Sequence, residues 1–382
     1  MSNTRLRPIY VDARNGRGIS LAGVRLVVSY QGEEVGTQTK RTQGYTRIEV
    51  PSDGEITLSA VWQGNVSEPV KVAPDRSELV FKFPYAGAPS VMLVCALPKE
   101  THAVRSILDE SSPEPIAGPP GDPNHYWTGA FGSNGVTRRV LVATSGMGNN
   151  NAAIVATHAL RSFRDDIDYL IMVGIAGGCP NPAKPDEHVR LGDIVVLNEQ
   201  GLLQYDFTKR TNTGDAIRRS AQLPSKALLE AAKTLAIREL AGETPWEETI
   251  AAAAKGESRR PAAKTDLLHD AHGAHVAHPK QARRKNGKPL VHHGAIGSAN
   301  ILLKDPSSRD MLRDSYNVRA VEMEGSGLQD AGWHVEKDIM VVRGVCDYCD
   351  PFKTDTWQAY AALVAAAYAR ALVEAIPAAH FV

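Results

Sequence analysis

Apolar and polar residues alternate along positions 5–84 in short runs such as VRLVVSY, EITLSAVW and ELVFKF. Alternation with a period of two is typical of strands that bury one face. Turn-forming sequences such as SDG, at residues 52–54, separate the runs at intervals of roughly ten residues, as in a small antiparallel sandwich. We therefore predict an accessory β-sandwich domain over residues 1–85, followed by a linker at Tyr85–Pro89.

The pattern changes at Ser90, after which the predicted strands are continuously apolar and alternate with helical stretches. VMLVCAL, DYLIMVGIAGG and MVVRGVCD are examples, and such strands are buried on both faces of a sheet covered by helices. The alanine-rich run from Trp357 to Ile376 has helical spacing, and Arg370 within it argues against a membrane helix. We predict an α/β domain over residues 88–382, built on a central, mostly parallel mixed sheet flanked by helices.

Residues 241–290 interrupt this order because they are rich in Ala, Lys, Arg and His and poor in large apolar side chains. Between Ser258 and Leu290, eight Lys or Arg stand against two Asp, which gives a local net charge of +6. This composition predicts a mobile basic insertion, which either attracts an anion or is a solvated loop.

The whole chain carries 43 Lys or Arg and 43 Asp or Glu, so its formal net charge is zero. This balance gives no support for binding to nucleic acid or to an anionic membrane surface. The four cysteines lack the density of a secreted disulfide scaffold, and the first residues lack the apolar core of a signal peptide. We expect a cytoplasmic protein without a membrane span.

Glycine-bearing segments occur where several predicted strands end. In an α/β sheet, ligands bind at the carboxyl ends of strands, where glycine lets the backbone approach them. Any one of these segments could be a tight turn, but their recurrence on successive strands favours a ligand site. The segments are SGMG at residues 145–148, GIAGG at 174–178, LGD at 191–193 and IGSAN at 296–300.

Two carboxylates flank a methionine in RAVEMEGSG, at Glu322 and Glu324. Buried carboxylates need hydrogen-bond donors, and the vicinal hydroxyls of a sugar are suitable donors. Taken singly, either residue could instead be an exposed acidic strand end.

A third and a fourth acid also follow apolar strands. VVRGVCDYCD places Arg343 and Asp347 near a strand end, where an acid could protonate a departing purine and contribute roughly 10² to 10⁴ in rate. Asp347 could alternatively cap a helix. Glu100, which closes VMLVCALPKE, is suited to hold and deprotonate a water, although a glutamate after a strand is usually solvated.

Taken in order, these segments resemble the nucleoside phosphorylase and nucleosidase superfamily, most of all the methylthioadenosine and S-adenosylhomocysteine nucleosidases. VEMEG and VVRGVCD carry the strongest resemblance, and GIAGG, LGDIVV and SGMG support it. The resemblance covers about three quarters of the chain. It implies a nucleoside phosphorylase-like fold and cleavage of the bond between a purine base and its ribose.

The resemblance also implies roles for the matching residues. Asp347 would protonate the base, Glu324 would bind the ribose hydroxyls, and Glu100 would activate the water. Arg343 would orient Glu100 or the nucleophile. The other residues expected around the substrate are Glu322 beside the sugar, Met323 against it, Met147, Ala176 and Gly177 on the ribose and water side, Asn300 and Ile301 by the base, and Cys346 before the acid.

Hydrolysis is favoured over phosphorolysis at the first strand of this domain. Phosphorylases of the superfamily usually carry a glycine-rich, arginine-bearing phosphate loop there, whereas this chain has ALPKE. Phosphorolysis needs a cationic cradle for phosphate, whereas hydrolysis needs a base beside a water. We therefore predict a purine nucleosidase that uses neither a cofactor nor a metal.

Departures from the family pattern point away from methylthioadenosine as the substrate. Cys346 stands where a serine is common, Asn300 replaces an aromatic residue, and Ile175 replaces a serine. The insertion is also far longer than the family's connecting loop. We predict an adenine nucleotide, AMP or ATP, whose phosphates meet the basic insertion.

Two alternatives remain, a phosphorylase and a non-catalytic nucleotide sensor whose β-sandwich binds another protein. Relatives implied by the resemblance assemble as dimers or larger rings, so a homo-oligomer is expected. Similar domains joined to accessory modules occur in bacterial defence against phage, which makes such a role an open hypothesis.

Two further patterns favour metal or redox chemistry only weakly. Cys346 and Cys349 have the spacing of a zinc or redox pair, but no second pair follows. Four histidines recur every third residue, which on a helix would form one face, but Gly273 and the few apolar residues weaken a helix there. We interpret them as insertion residues without a metal: His269, His272, His275 and His278.

Overall fold

The computed structural model divides the chain into two compact units, Met1–Ala88 and Pro89–His380. The linker predicted at Tyr85–Pro89 lies outside the residues that the structure describes. The described residues are 6–14, 23–42, 44–62, 65–82, 90–118, 121–133, 136–163, 167–212, 214–218, 223–285 and 287–376.

The first unit contains only strands among its described residues. They are β1 (Leu6–Arg14), β2 (Val24–Tyr30), β3 (Glu33–Lys40), β4 (Thr46–Pro51), β5 (Ile56–Trp62), β6 (Asn65–Val66), β7 (Val70–Lys71) and β8 (Glu78–Lys82). One sheet has the order β4-β1-β8 and the other β3-β2-β5-β6, with β7 also paired to β5. Alternate residues of β2, Val24, Leu26 and Val28, are buried in a cluster that also contains Val11 and Phe81 of the other sheet. The period-two pattern therefore builds one apolar core between two sheets.

The second unit alternates strands and helices. Its strands are β9 (Ser90–Cys95), β10 (Glu110–Ser111), β11 (Ile116–Ala117), β12 (His125–Ser133), β13 (Val136–Thr144), β14 (Ile167–Gly178), β15 (Ile194–Gln204), β16 (Thr208–Thr211), β17 (Gly214–Ile217), β18 (Leu268–His269), β19 (His275–Val276), β20 (Val291–Ser298), β21 (Val318–Glu322) and β22 (Asp338–Asp347). Its helices are α1 (Pro98–Ser106), α2 (Asn149–Phe163), α3 (Lys226–Leu240), α4 (Pro245–Ala253), α5 (Pro306–Tyr316), α6 (Gly325–Trp333) and α7 (Gln358–Ala375).

The main sheet has the order β10-β12-β13-β9-β14-β21-β20-β15-β22, and β22 pairs back onto β14. Strands β14, β21, β20, β15 and β22 therefore form a closed ring. Five strand pairings in this sheet are parallel and five antiparallel. The prediction of a mixed sheet is confirmed, but "mostly parallel" is wrong. Three antiparallel pairings lie at the β10–β13 edge of the sheet, and ring closure adds two more by pairing β14 with β21 and β15 with β22.

Helix α7 covers one face of the ring, as its alanine spacing predicts. Small side chains let the helix backbone come close to the sheet. At Gly344 on β22, an added Cβ would collide with the backbone oxygen of Ala361, so a glycine is needed at this crossing. No described helix is long and apolar enough to cross a membrane.

The expectation of a mobile insertion at residues 241–290 is wrong. Trp246 of α4 is buried and packs against the ring of Tyr368 on α7, with 5.2 Å between the ring centroids. Both terminal nitrogens of Arg284 donate to the carboxylate of buried Asp193, at 2.9 and 2.6 Å. Composition failed here because several polar residues of the insertion are buried as partners of one another rather than solvated.

Candidate active site

A cleft opens at the ends of β9, β14, β21 and β22. Gly177 pairs with Asp347 at a β-bulge between Ala176 and Gly177, which ends the regular pairing of β14 with β22. The cleft has an empty volume of about 650 Å³, which includes the solvent at its mouth. Its walls are Ala96, Leu97, Glu100, Met147, Ile175, Gly177, Tyr205, Ile301, Leu302, Leu303, Val321, Glu322, Met323, Glu324, Cys346, Asp347, Cys349, Lys353 and Gln358.

Glu100 lies in the first turn of α1, which begins at Pro98. Its side chain turns back and accepts hydrogen bonds from the backbone N–H of Ala96 at 2.7 Å and of Leu97 at 2.8 Å. The backbone N–H of Ile175 on β14 donates to its other oxygen at 2.7 Å. Burial raises the pKa of Glu100, while Arg343 and these N–H groups oppose the rise. The carboxylate is therefore held rigidly, with a stronger basicity than an exposed glutamate has.

Gly174 on β14 makes room for this arrangement. A Cβ at this position would collide with Oε1 of Glu100 and would lie 2.6 Å from Nη1 of Arg343. The first glycine of GIAGG is thus needed because the side chains of Glu100 and Arg343 occupy the space where a Cβ would lie.

Arg343 is fully buried and joins two carboxylates. Its Nη2 donates to Oε2 of Glu322 and, at 3.1 Å, to Oε2 of Glu324. Burial alone would lower the pKa of Arg343, but the carboxylates of Glu322, Glu324 and Glu100 raise it above its ordinary value. Arg343 therefore orients Glu322 and Glu324 directly, and it has no hydrogen bond to Glu100 in the structure.

Glu322 has a structural set of partners. It accepts hydrogen bonds from the backbone N–H of Glu324 at 3.0 Å and of Gly325 at 2.9 Å, at the start of α6. A carboxylate at a helix N-terminus satisfies N–H groups that have no partner within the helix. With Arg343 as its third partner, Glu322 holds the turn that carries Met323 and Glu324.

Glu324 is the carboxylate of this pair that keeps a cleft-facing role. Its Oε1 accepts from the backbone N–H of Gly148, the last residue of SGMG, at 3.0 Å. Burial raises the pKa of Glu324 to about 7, with Arg343 opposing the rise and Glu322 adding to it. A carboxylate in this state binds hydroxyl groups while changing its protonation near neutral pH.

Asp347 ends β22 and begins a sharp turn. Its Oδ1 accepts from the backbone N–H of Cys349 at 2.9 Å, and its Oδ2 lies 3.2 Å from Nζ of Lys353 and 3.4 Å from Sγ of Cys346. Cys349 has a φ of 55°, a left-handed conformation that costs a residue other than glycine about 1 kcal/mol or more. Surrounding contacts must therefore stabilise this turn.

The structure brings most of the predicted site residues to one cleft but not all of them. Glu100, Glu322, Met323, Glu324, Asp347, Met147, Gly177, Ile301 and Cys346 line it. Ala176, Asn300 and Arg343 do not. Ala176 directly precedes the β-bulge, and Asn300 Oδ1 accepts from the backbone N–H of Asn149 at 2.8 Å, where α2 begins.

One glycine motif, LGD, serves the fold rather than the cleft. Asp193 is buried and accepts from Arg284, from His292 at 3.1 Å, and from the backbone N–H of Leu290 at 2.9 Å. Despite its burial, these donors lower the pKa of Asp193. The motif therefore holds the insertion and the start of β20 to the turn that precedes β15.

Ten of the nineteen lining residues were not among the predicted site residues, and three of these, Tyr205, Lys353 and Gln358, bring hydroxyl, ammonium and amide groups to the cleft. Tyr205 lies beyond the apolar start of β15, and Lys353 and Gln358 follow the strand that carries the acid. The spacing of Lys353, six residues after Asp347, was the available signal, because a turn can bring such residues together. Lys353 supplies the one cationic side chain among the described lining residues.

The cysteines and histidines set aside above have structural surroundings. All four cysteines are buried as free thiols, and burial raises the pKa of Cys346 and Cys349 well above the ordinary value. His269 and His275 face each other across the short hairpin of β18 and β19, so the four histidines do not share a helix face.

A mixed sheet with a cleft at its strand ends, lined by four acids from three strands or the segments that follow them, defines an α/β protein with a small-molecule site. The chain belongs to the phosphorylase superfamily, whose family model matches residues 90–377. The resemblance inferred from VEMEG and VVRGVCD is thereby confirmed.

Known proteins of three kinds are similar to this chain. A nucleotide-binding leucine-rich repeat-like protein of Hyaloscypha variabilis is 34% identical over 302 residues, which cover 74% of this chain and 29% of that protein. The ATP nucleosidase Cap17 of Escherichia coli is 24% identical over 287 residues, covering 73% and 50% respectively. The chain thus spans half or less of the length of these two relatives.

The third similarity is to a solved structure, the 5'-methylthioadenosine/S-adenosylhomocysteine nucleosidase of Helicobacter pylori. It superimposes with a TM-score of 0.52 at 17% identity and covers 75% of this chain and 99% of that chain. At this identity the likeness shows the fold alone, and it confirms the predicted nucleosidase-like fold of a mixed sheet with helices.

Proposed function

We propose that the second unit is a purine N-ribosyl hydrolase that releases the base of an adenine nucleoside or nucleotide with water as the nucleophile. One observation carries this proposal: Asp347, Glu324 and Glu100 line the same cleft. The nucleosidase name of the Escherichia coli relative supports it.

Each acid has a role that its surroundings fit. Asp347 would donate a proton to the departing purine, which removes the negative charge that develops on the ring. Glu324 would accept hydrogen bonds from the ribose hydroxyls. Glu100, held by three backbone N–H groups, would orient a water and take its proton as it attacks the anomeric carbon.

The charges of the cleft favour water over phosphate as the nucleophile. Arg343 is already bound to two carboxylates, and the ammonium of Lys353 contacts Asp347. A phosphate beside Glu100 would be repelled by its carboxylate without a free cation among the described lining residues. A phosphorylase is therefore the second candidate, and a non-catalytic sensor is the third.

We further propose that AMP or ATP is the preferred substrate, on the strength of the ATP nucleosidase relative. The predicted contact between the phosphates and the insertion needs correction, because none of the described lining residues comes from the insertion. Lys353, with 18% of its side chain exposed, is the one cation among the described lining residues, so a substrate phosphate in the cleft would share it with Asp347. An enzyme that cleaves ATP would deplete it in the cell and so stop a phage from multiplying there. On this basis a role in defence against phage is kept as a proposal.

A homo-oligomer and a protein partner for the first unit also remain proposals. Met147, Ile301 and Leu302 line the cleft and are 57%, 47% and 56% exposed. Large apolar side chains grouped at a surface are ordinarily covered by another molecule, and a second copy would serve.

The proposed activity is tested by product analysis with the full chain. AMP, ATP, adenosine and methylthioadenosine are each incubated with and without inorganic phosphate, and adenine and ribose 1-phosphate are separated by chromatography. We expect adenine without added phosphate, and a loss of at least about 100-fold in Asp347→Asn with an unchanged circular dichroism spectrum. Ribose 1-phosphate formed only with phosphate would show a phosphorylase, and purine binding without release a sensor. Cleavage of the uncharged nucleosides alone would refute the preference for nucleotides.

A further inference from the structure

The acid loop, residues 347–353, connects the two cleft residues Asp347 and Lys353. Its second residue, Tyr348, is almost completely buried, at 2% exposure. The backbone oxygen of Tyr348 accepts from Nη1 of Arg309 at 2.9 Å, and its hydroxyl accepts from the backbone N–H of Leu191 at 3.1 Å. The loop is therefore anchored at a point directly beside the acid.

The insertion supplies the strongest partner of this anchor. The hydroxyl of Tyr348 donates to Oδ1 of Asp266 at 2.6 Å. Asp266 is itself held by Arg190, whose Nη2 lies 2.7 Å from Oδ2, and by His278, whose Nε2 lies 3.3 Å from Oδ1. Burial would raise the pKa of Asp266, but His278, Tyr348 and Arg190 lower it to about 2. Asp266 is thus an ionised, fully partnered group, and bonds to charged acceptors are the stronger ones.

The hairpin of β18 and β19 makes a second contact with the same loop. Nδ1 of His269 lies 3.3 Å from Oδ2 of Asp350, and its ring packs on Phe352 with 4.5 Å between centroids. Asp350 also accepts from the backbone N–H of Phe352 at 3.0 Å. The insertion therefore contacts the acid loop on both sides of its left-handed residue Cys349, at Tyr348 and at Asp350.

We propose that the insertion is a brace for the acid loop, in which Asp266 and His269 are positioning residues that hold Asp347 in place. The brace acts on catalysis only if Asp347 is the proton donor, so that part rests on the proposed function. Asp347 and Tyr348 are adjacent, and the hydrogen bond from the backbone N–H of Cys349 to Oδ1 of Asp347 closes the turn that contains Tyr348. A displacement of Tyr348 would therefore displace Asp347 as well.

A purely structural role would predict a different pattern. If the insertion only stabilised the domain, loss of any of its contacts would change hydrogen exchange and base release in proportion to the stability lost, whether or not the contact involves the acid loop. Lys288 and Glu247 offer the matched control, because their ion pair also lies within the insertion and neither residue contacts the acid loop. The variants are therefore Tyr348→Phe, Asp266→Asn, His269→Ala and, as the control, Lys288→Gln.

Amide hydrogen exchange of the full chain tests the brace without reference to activity. In Tyr348→Phe and Asp266→Asn we expect peptides of the acid loop to exchange about tenfold faster, with β14 and α7 unchanged. Lys288→Gln should leave the loop as in the wild type. Unchanged exchange in the acid loop, or faster exchange spread evenly over the domain, would overturn the proposal.

Kinetics on the same variants then separates the brace from the proposed function. We expect kcat to fall about tenfold with KM changed less than about twofold, because a misplaced acid affects the chemical step. The double variant of Tyr348→Phe and Asp266→Asn should lose no more than either single variant, as for one shared contact. A loosened loop in a chain that releases no base would leave the brace standing and refute the hydrolase. Base release that is unaffected by any of these changes, together with an acid loop whose exchange is unchanged, would support the hydrolase and refute the brace.

Discussion

Replacement of Glu324 by glutamine tests the electrostatics of the carboxylate pair beside Arg343. Burial raises the pKa of Glu324 from the ordinary 4.5 to about 7. Since each tenfold change in proton affinity is equivalent to about 1.4 kcal/mol, the rise corresponds to about 3 kcal/mol. Glutamine does not titrate, and it keeps one of the two acceptor oxygens, which can accept from either Gly148 or Arg343.

The sign of the effect follows from which state holds the proton more tightly. The folded state does so here, because the pKa is raised on folding. Relative to the ionised form, the stability gained by protonating Glu324 is fully present below pH 4.5 and is lost as the pH rises through about 7. We therefore expect the free energy of unfolding of the wild type, minus that of Glu324→Gln, to fall by about 3 kcal/mol between pH 4.5 and about pH 8.

Denaturant titrations at four pH values measure this difference. Trp246 and Trp357 are buried in the second unit, so tryptophan fluorescence reports its unfolding. Histidines contribute equally to both proteins and cancel in the subtraction. The same substitution at Glu230, on the surface of α3, controls for the loss of a carboxylate. A difference between wild type and Glu324→Gln that stays constant with pH would refute the reasoning.

Two further substitutions probe the same cluster. Gly174→Ala would force Glu100 away from Ile175, so we expect base release to fall about 100-fold; an unaltered rate would show that the position of Glu100 is not required. Arg343→Met would leave two buried carboxylates without their cation, so denaturant titration at pH 7 should show a loss of about 3–5 kcal/mol, smaller at pH 5. A loss below about 1 kcal/mol would mean that the carboxylates are not ionised together.

The acids of the cleft could be predicted from the sequence because each follows a recognisable strand. VEMEG and VVRGVCD place Glu324 and Asp347 at strand ends, and strand ends of one sheet meet at a common edge. The role of Arg343 could not be read in the same way. Its contact with Glu322 and Glu324 arises because β14 pairs with both β21 and β22. Spacing along the chain does not reveal this arrangement.

The insertion was misjudged because composition counts charges without their partners. Asp266, Arg284 and His278 would be solvated in a mobile loop, yet each contacts a group outside the insertion: Tyr348, Asp193 and His188 respectively. Asn300, predicted to lie by the base, has a hydrogen-bond partner that the sequence pattern did not indicate. A residue that replaces an aromatic in the pattern need not inherit its position, and this one caps α2.

Ring closure by β14, β21, β20, β15 and β22 has a consequence for how such a domain can evolve. A strand paired on both sides cannot slide along its neighbours without breaking two ladders of hydrogen bonds at once, so the ends of β21 and β22, beside which Glu324 and Asp347 lie, are fixed relative to each other. New substrates must then be accommodated by the segments that leave the barrel rim. In this chain those segments include the turn after Asp347 and the insertion that contacts it, while Glu324 and Asp347 stay beside the ends of ring strands.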